Sequence, residues 1–276
     1  MRNISLEELL EAGCHFGHQV TRSNPKARDF IFEAREGVHI IDLSKTKEGL
    51  EEAGRFVKSM GQKEGTVMVV VGTKRQAKGI IEEEAKKVLQ ELQGKQEGEL
   101  AGLYYVTNRW IGGLLTNFSE ISKNFQKLID LTTRINDPAE REKFTKKEVG
   151  GWEKERQKLE RLYGGVYKIS KTPALLFIVD SHLENLAVRE AQKTGVPTVA
   201  IVDTNADPQA VDYPIPANDD AVGSIELIVG YIMEAWVEGR KQIKEQKPAI
   251  TEAQRNPQKT QKKKPAIKSK IKAKTK

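Results

Sequence analysis

The hydrophobic positions of this chain fall into short unbroken runs that alternate with longer amphipathic stretches. The clearest runs occupy residues 67–71, 174–179 and 199–202. Between the last two runs, a helical period is set by Leu183, Leu186, Ala187, Glu190 and Ala191. Continuous apolar strands joined by one amphipathic helix are typical of a parallel sheet that is buried on both faces. The pattern therefore predicts an α/β fold.

Polar side chains follow the two later runs. Asp180 and His182 come after the first of them, and Asp203 and Asn205 come after the second. Because the crossover between parallel strands is right-handed, both loops should open on the same edge of the sheet. That edge is where α/β proteins usually bind ligands, so we expect a site to lie there.

Further strands and helices are predicted on both sides of this unit. Residues 38–41 and 104–106 are short apolar runs, whereas residues 15–28 have no regular period and are interpreted as a loop. A helix is expected over residues 42–62, with a buried face formed by Leu50, Ala53, Val57 and Met60. The next helix should bury Ala77, Ile80, Ile81, Ala85, Val88 and Leu92. A last helix, capped at residues 218–220, is expected to run through Trp236.

The stretch 118–163 interrupts the α/β alternation with two amphipathic arms. The apolar positions of the first arm repeat at near-heptad spacing, at Phe118, Ile121, Phe125, Leu128, Thr132 and Ile135. Asp137 and Pro138 break the pattern, and a second charged arm covers residues 146–163. Two such arms predict an antiparallel helical hairpin, in the manner of a coiled coil, inserted into the α/β domain. The hairpin is too thin for a core of its own and should meet partners.

Charge separates the end of the chain from the rest. The net charge of the 276 residues is +7, yet the first 239 residues carry 32 basic and 37 acidic side chains. Residues 240–276 carry 14 Lys or Arg against two Glu, with few large apolar groups. Such a composition predicts a disordered basic C-terminal tail. Tails of this kind often bind polyanions, and a terminus that only improves solubility is the alternative.

The compartment is suggested by cysteine usage and hydropathy. Cys14 is the single cysteine, which excludes an internal disulfide framework and suggests a reducing environment. The first residues contain no apolar signal core, and no apolar run approaches the roughly 18 residues of a membrane span. We therefore expect a soluble cytoplasmic protein.

Three loops combine cations with amide or glycine groups and are suited to phosphate. Residues 15–28 contain no acidic side chain, and residues 72–76 form a strand–glycine–helix turn that favours an anion. The loop 108–118 adds adjacent glycines and an aromatic ring, which suit RNA because glycine admits a backbone and the ring can stack on a base. The predicted RNA-binding residues are Arg22, Lys26, Arg28, Lys74, Arg75, Arg109 and Trp110.

Each of these loops has an alternative interpretation. Cys14, His15 and His18 could bind zinc, but a fourth ligand is missing, and packed or hydrogen-bonded histidines are favoured. The turn 72–76 lacks the second glycine of a nucleotide-binding Walker loop and its Lys-Ser/Thr pair. Trp110 could simply be buried beneath the helical insert.

Catalysis is the competing class of function. Asp180, His182, Asp203 and Asp207 could act at the sheet edge as acid/base groups or hold Mg²⁺ in a hydrolase or transferase. Asp and Asn after strands also cap helices and shape turns, however. No nucleophile–base pair or complete cofactor loop accompanies them, so binding is favoured over catalysis.

Six motifs in order resemble the bacterial small-subunit ribosomal proteins of the S-two family. They occupy residues 15–18 (HFGH), 37–42 (GVHIID), 72–76 (GTKRQ), 109–118 (RWIGGLLTNF), 203–205 (DTN) and 215–220 (IPANDD). The resemblance covers about residues 1–239 and includes the insert. It implies a flavodoxin-like three-layer α/β sandwich with a coiled-coil hairpin and no catalytic activity, cofactor or metal.

The resemblance also implies partners and a division of the chain. The expected partners are small-subunit ribosomal RNA, bound between head and body, and neighbouring ribosomal proteins, including the mRNA-binding S-one protein that the family helps to dock. The α/β domain is expected to comprise residues 1–107 and 170–239. The hairpin insert should cover residues 108–169, and the flexible lysine-rich tail residues 240–276.

Overall fold

A computed structural model describes residues 2–92 and 102–246 of the chain. Its strands are β1 (Phe16–Gln19), β2 (Ile31–Arg35), β3 (Val38–Ile41), β4 (Met68–Val71), β5 (Leu103–Val106), β6 (Leu175–Ile178), β7 (Thr198–Val202) and β8 (Tyr213–Pro216). Its α-helices are α1 (Leu6–Glu11), α2 (Leu43–Gly61), α3 (Arg75–Leu92), α4 (Phe118–Asn136), α5 (Pro138–Arg141), α6 (Lys146–Tyr163), α7 (Asn185–Thr194) and α8 (Val222–Gln246). None of the helices in this part of the chain is long and apolar enough to cross a membrane.

The centre of the fold is a parallel sheet of five strands in the order β5-β4-β6-β7-β8. Successive side chains of a strand point to opposite faces, and helices cover both faces here. Val70 and Phe177 face α2, α3 and α8, whereas Val69, Val71 and Ile178 face α7 and the base of the hairpin. The three-layer α/β fold expected from the sequence is confirmed, and burial on both faces explains the unbroken apolar runs.

A second sheet, which the sequence did not reveal, lies before the first. β1, β3 and β2 form an antiparallel sheet in that order. The interpretation of residues 15–28 as a loop is therefore wrong in part, because β1 and two 3-10 turns, Val20–Arg22 and Pro25–Phe30, lie within it. Irregular register and exposed side chains hide the period of two in β1 and β2.

β8 is a strand that contains two prolines, and no strand was expected there. Pro214 and Pro216 cannot donate to a sheet ladder, and proline is therefore confined to sheet edges and strand ends. β8 is the last strand of the sheet order, with β7 as its neighbour. The edge position resolves the conflict between sequence and structure.

The two long arms pair as an antiparallel hairpin. Lys127 of α4 forms an ion pair with Glu155 of α6 at 2.5 Å, and Asn124 donates to Tyr163 at 3.3 Å. Since a later residue of α4 meets an earlier residue of α6, the helices run in opposite directions. Phe125 stacks edge-on against Tyr163 at 5.5 Å between ring centres, and this contact roots the hairpin in the core.

α8 continues beyond the expected end of the domain. Arg240 is buried, lies over the ring of Trp236 at 4.4 Å, and donates to the carbonyl oxygens of Lys63, at 3.1 Å, and Thr66. Burial lowers the pKa of its guanidinium to about 10. The predicted boundary between the α/β domain and the tail at residue 240 stays a prediction. Arg240 itself is packed into the folded domain. The lysine-rich segment from residue 247 lies outside the described residues.

We predict that Arg240→Ala lowers the free energy of unfolding by about 2–4 kcal/mol, because two carbonyl groups lose a charged donor. Lys241→Ala is the matched control: its ammonium is half-exposed and forms an ion pair with Glu91, so a loss below about 1 kcal/mol is expected. Urea unfolding followed by circular dichroism measures both. Equal losses would show that Arg240 does not hold α8 in place.

Candidate nucleic-acid interface

The carboxyl ends of the five parallel strands bring five loops to one edge of the sheet. The loop after β4 carries Lys74 and Arg75, and the loop after β5 carries Arg109. The loops after β6, β7 and β8 carry aspartates. The sheet edge expected to hold a site is therefore formed, with cations after β5 and β4 at one end and carboxylates after β6, β7 and β8.

The antiparallel sheet joins this edge through the loop after β7. The backbone N–H of Asn24 donates to the carbonyl oxygen of Thr204 at 2.7 Å, and the N–H of His18 donates to the Thr204 hydroxyl at 2.9 Å. Lys26 forms an ion pair with Asp207 at 2.6 Å. A side chain at Gly17 would meet Thr204 at 2.7 Å, so only glycine permits this approach. These contacts bring the predicted cationic segment 15–28 to the sheet edge.

Lys74 lies within a cluster of carboxylates rather than facing solvent. Its Nζ is 2.9 Å from Asp180 Oδ2, 2.7 Å from Asp219 Oδ1 and 2.7 Å from Asp220 Oδ1. Burial alone would lower the pKa of Lys74, but the three carboxylates, Asp219 foremost, raise it instead. The lysine is therefore charged and holds three loops together.

His18 joins the other side of the same cluster. Its Nδ1 is 3.1 Å from Asp203 Oδ1, and its Nε2 is 3.6 Å from Asp220 Oδ2. The hydrogen bond to Asp203 raises the pKa of His18 above its ordinary value despite burial. Protonated His18 would therefore place a second positive charge, beside that of Lys74, within this cluster of carboxylates.

Asp219 is the buried centre of the cluster. Burial raises the pKa of its carboxyl group to about 7, and the neighbouring Asp180 and Asp203 add to the effect. One oxygen is bonded to Lys74, whereas Oδ2 has no hydrogen-bond partner among the described residues. Cations in the cluster thus leave part of its negative charge uncompensated.

Three of these side chains could hold a metal ion. One ligand atom each from His18, Asp203 and Asp219 lies within 4.8 Å of the others. Imidazole and carboxylate are ligands that zinc accepts. Cys14 is not a member of this group, and burial raises the pKa of its thiol, which disfavours the thiolate that a metal needs. The arrangement thus differs from the alternative of Cys14, His15 and His18.

The predicted RNA-binding residues divide into exposed and internal side chains. Four arginines are exposed and have no ion pair within the described part of the chain: Arg22, Arg28, Arg75 and Arg109. Lys26 is half-exposed beside Asp207, and Lys74 is only 16% exposed. Trp110 is 5% exposed, and its indole Nε1 donates to Glu190 at 3.3 Å. Burial of Trp110 beneath the insert is the alternative that the structure supports.

The carboxylates considered for catalysis are bonded to backbone groups. Asp180 accepts from the N–H groups of His182 and Leu183 at 2.9 and 2.8 Å, and Asp203 accepts from the N–H of Thr204. Asp207 caps a 3-10 turn by accepting from Gln209 at 3.0 Å. His182 is exposed. These bonds are those of turn-forming aspartates.

Comparison with known proteins agrees with the order of motifs and the fold. The sequence profile of the family described as Ribosomal protein S2 matches residues 9–239. The chain belongs to the ribosomal protein S2 family. A similar relative is the small ribosomal subunit protein uS2 of Geotalea uraniireducens (strain Rf4), which is 45% identical over 239 residues, or 87% of this chain and 88% of the relative.

Membership of this family decides between the two classes of function. The protein is a structural component of the small ribosomal subunit, where its partners are ribosomal RNA and other ribosomal proteins, and it is not an enzyme. The alternative of a metal-dependent hydrolase or transferase is therefore wrong.

Sequence reasoning missed two residues of this edge. Asp219 was interpreted as part of a helix cap, although it is fully buried against Lys74. Glu190 was placed on the helix between β6 and β7 without a role. A carboxylate on the apolar face of an amphipathic helix was the available signal, because a buried charge requires partners.

We predict that Asp219 makes the fold less stable as pH rises. Its carboxyl group titrates at about 3.9 in an unfolded chain and at about 7 in the fold. Between these values the folded state holds a proton that the unfolded state lacks, so the stabilisation is present at low pH and is lost as pH rises through about 7. His18, whose pKa is also raised, contributes in the same direction.

Asp219→Asn should therefore reduce the difference in free energy of unfolding between about pH 5.5 and about pH 8 by roughly 2 kcal/mol. Denaturant titrations with a chelator present measure the difference. Asp29→Asn, at an exposed aspartate, should leave it unchanged. An unaltered difference in the Asp219 variant would rule out protonation of this carboxyl group.

Proposed function

We propose that the protein binds small-subunit ribosomal RNA, between head and body, through the exposed cations at the carboxyl edge of its sheet. The observation that supports this is the set of exposed arginines that have no carboxylate partner among residues 2–92 and 102–246: Arg22, Arg28, Arg75 and Arg109. They lie on a chain whose first 239 residues carry more acidic than basic side chains. An acidic surface with cations at one edge directs a polyanion to that edge.

The rigid sheet determines how these cations can act. Arg75 begins α3 directly after β4, and Arg109 follows the neighbouring strand β5. Arg22 lines a cleft of about 350 Å³ together with His18, Asp203 and Asp220. Contacts to phosphate position a protein without reading bases. Specificity should therefore come from the shape of the folded RNA, and the site of action is the ribosome in the cytoplasm.

Lys74 and Trp110 have a different part in this proposal. The ammonium of Lys74 is bound to three carboxylates, and the ring of Trp110 is buried. Neither can meet RNA without breaking those contacts. We assign them to shaping the loops that present Arg75 and Arg109, and we assign the phosphate contacts to the exposed cations, Lys26 included.

We further propose that the protein helps to dock the S-one ribosomal protein through an apolar groove on its other sheet. Phe32 is 71% exposed and Leu10 is 52% exposed. They line one groove of about 240 Å³ with Ile40 and Leu43. Exposed apolar side chains that share a groove are typical of protein interfaces. Asp42 also lines the groove, and its carboxylate disfavours an RNA phosphate there.

The RNA contact is tested with Arg75→Ala/Arg109→Ala. The double variant should bind small subunits depleted of this protein about 10–100-fold more weakly at roughly 0.1 M salt, with a shallower dependence of the logarithm of affinity on that of salt, because two phosphate contacts are lost. Sedimentation of labelled protein with the subunits over a salt series measures both quantities.

The control for this variant carries the same change of charge away from the edge. Arg55→Ala/Lys86→Ala removes exposed cations from α2 and α3. Its affinity and salt dependence should stay close to those of the wild type. If both variants lost affinity equally, net charge rather than this edge would account for binding.

The docking groove is tested with Phe32→Ala, which should weaken binding of purified S-one protein to small subunits by about tenfold or more, because an aromatic anchor is lost. Leu183→Ala is the control, since Leu183 is 54% exposed beyond β6 and outside the groove. Binding is measured by surface plasmon resonance on immobilised subunits. Unchanged binding of the Phe32 variant would place the docking surface elsewhere.

A further inference from the structure

The loop between β5 and α4 buries main chain that forms no regular structure. Residues 107–117 contain neither helix nor strand. The side chains of Trp110, Ile111, Leu114 and Leu115 are nevertheless buried in the core. Buried N–H groups need an acceptor. The N–H groups of Leu114 and Asn117 find carbonyl oxygens within the loop, at 3.0 and 2.7 Å, but three others use an acceptor from another element.

A single carboxylate from α7 supplies it. Glu190 Oε1 accepts from the N–H of Gly113 at 2.7 Å and from the indole of Trp110 at 3.3 Å. Oε2 accepts from the N–H of Leu115 at 3.3 Å and from the N–H and hydroxyl of Thr116 at 3.4 and 3.3 Å. Glu190 itself is 7% exposed. Five donors of one loop thus converge on one buried anion.

The chemistry of this contact requires a carboxylate. An ionised carboxyl group only accepts hydrogen bonds and offers about four lone-pair sites, whereas an amide replaces one oxygen by a donor. Hydrogen bonds to an ionised acceptor are also roughly twice as strong as neutral ones. Gly113 adopts φ +94°, a conformation that favours glycine, and this turns its N–H toward Glu190.

Three backbone N–H groups of this loop are therefore already bonded to an acceptor within the protein. A cluster of converging N–H groups is a common binding site for phosphate. Here the cluster is occupied by a protein carboxylate, so an RNA phosphate cannot use it. The exposed residues of the loop are Asn108, Arg109, Gly112, Thr116 and Asn117, and Arg109 is the cation among them.

We propose that Glu190 is a positioning residue for RNA binding. Its carboxylate takes the place of an external anion inside the loop and fixes the indole of Trp110 and the backbone at Gly113, so that Arg109, the neighbour of Trp110, is held toward a phosphate before RNA arrives. The inference rests on the proposed contact between Arg109 and RNA. It adds that the affinity contributed by Arg109 depends on a carboxylate from α7 that never touches RNA.

The test is a double-mutant cycle on the full chain with Glu190→Gln and Arg109→Ala. Each single variant should bind small subunits depleted of this protein about tenfold more weakly, and the double variant should lose no more than either single variant. Glu226→Gln, an exposed change of the same charge on α8, corrects for the general effect of removing a negative charge. Losses that multiply would overturn the proposal.

A second measurement reports on the loop without RNA. Hydrogen exchange followed by mass spectrometry should show faster exchange over residues 110–117 in Glu190→Gln than in Glu226→Gln. Thr116→Val removes only the hydroxyl donor and should therefore increase the exchange rate by less. This variant serves as the test if Glu190→Gln does not fold. Glu190→Asp, which keeps the charge on a shorter side chain, should restore part of the affinity. Unchanged exchange in the Glu190 and Thr116 variants would overturn the proposal.

The outcomes separate this inference from the proposed function. If Arg109→Ala alone binds normally, the RNA contact of Arg109 is wrong, and the positioning role fails with it. If Arg109→Ala weakens binding but Glu190→Gln does not, the RNA contact stands and only the role of Glu190 is overturned. Circular dichroism of each variant confirms that the compared proteins are folded.

Discussion

The ion cluster around Lys74 is the interaction on which the sheet edge depends. Parallel strands bring the loops after β4, β6 and β8 to one edge, but the aspartates they carry would repel one another there. The ammonium of Lys74 lies within 2.9 Å of Asp180 and within 2.7 Å of Asp219 and Asp220, and it joins the three loops. Burial first, and then the neighbouring Asp180 and Asp203, raise the pKa of Asp219 to about 7, although the ammonium of Lys74 acts to lower it. Two opposing effects thus act on this edge. Burial disfavours the charged side chains, whereas attraction between the ammonium and the carboxylates stabilises them.

This balance explains why lysine and arginine have different places at the edge. An ammonium is a compact charge with three donors and can bond to three carboxylates that approach from separate loops. A guanidinium has a planar fork that suits the two oxygens of a phosphate. Lys74 is enclosed by carboxylates, whereas the arginine that follows it, Arg75, is exposed. The two adjacent cations therefore have different surroundings: Lys74 is bonded to carboxylates of the protein, and Arg75 is exposed to solvent.

The sequence allowed prediction of the elements whose pattern is local. The buried strands were visible as unbroken apolar runs, and the second arm of the hairpin was expected at the residues that α6 occupies. β8 was missed because its prolines are tolerated only at a sheet edge, which depends on strand order. The role of Lys74 was missed because Asp219 is 145 residues away in the chain, and a glycine turn with two cations is typical of anion binding when seen alone. Contacts between distant loops are set by the fold and leave no local signal.

The loops after β4 and β5 are held by ions of opposite sign. Lys74 joins the first to the carboxylates of β6 and β8, and Glu190 of α7 gathers the amides of the second. Both loops are therefore shaped by internal partners before any RNA is bound, and their conformational freedom is already restricted. If RNA binds at these loops as proposed, its binding orders few groups, so less entropy opposes it than for a flexible basic segment. In the proposed contact, a rigid edge would accept only an RNA whose phosphates match its spacing, so that contacts that read no bases could still select a folded RNA.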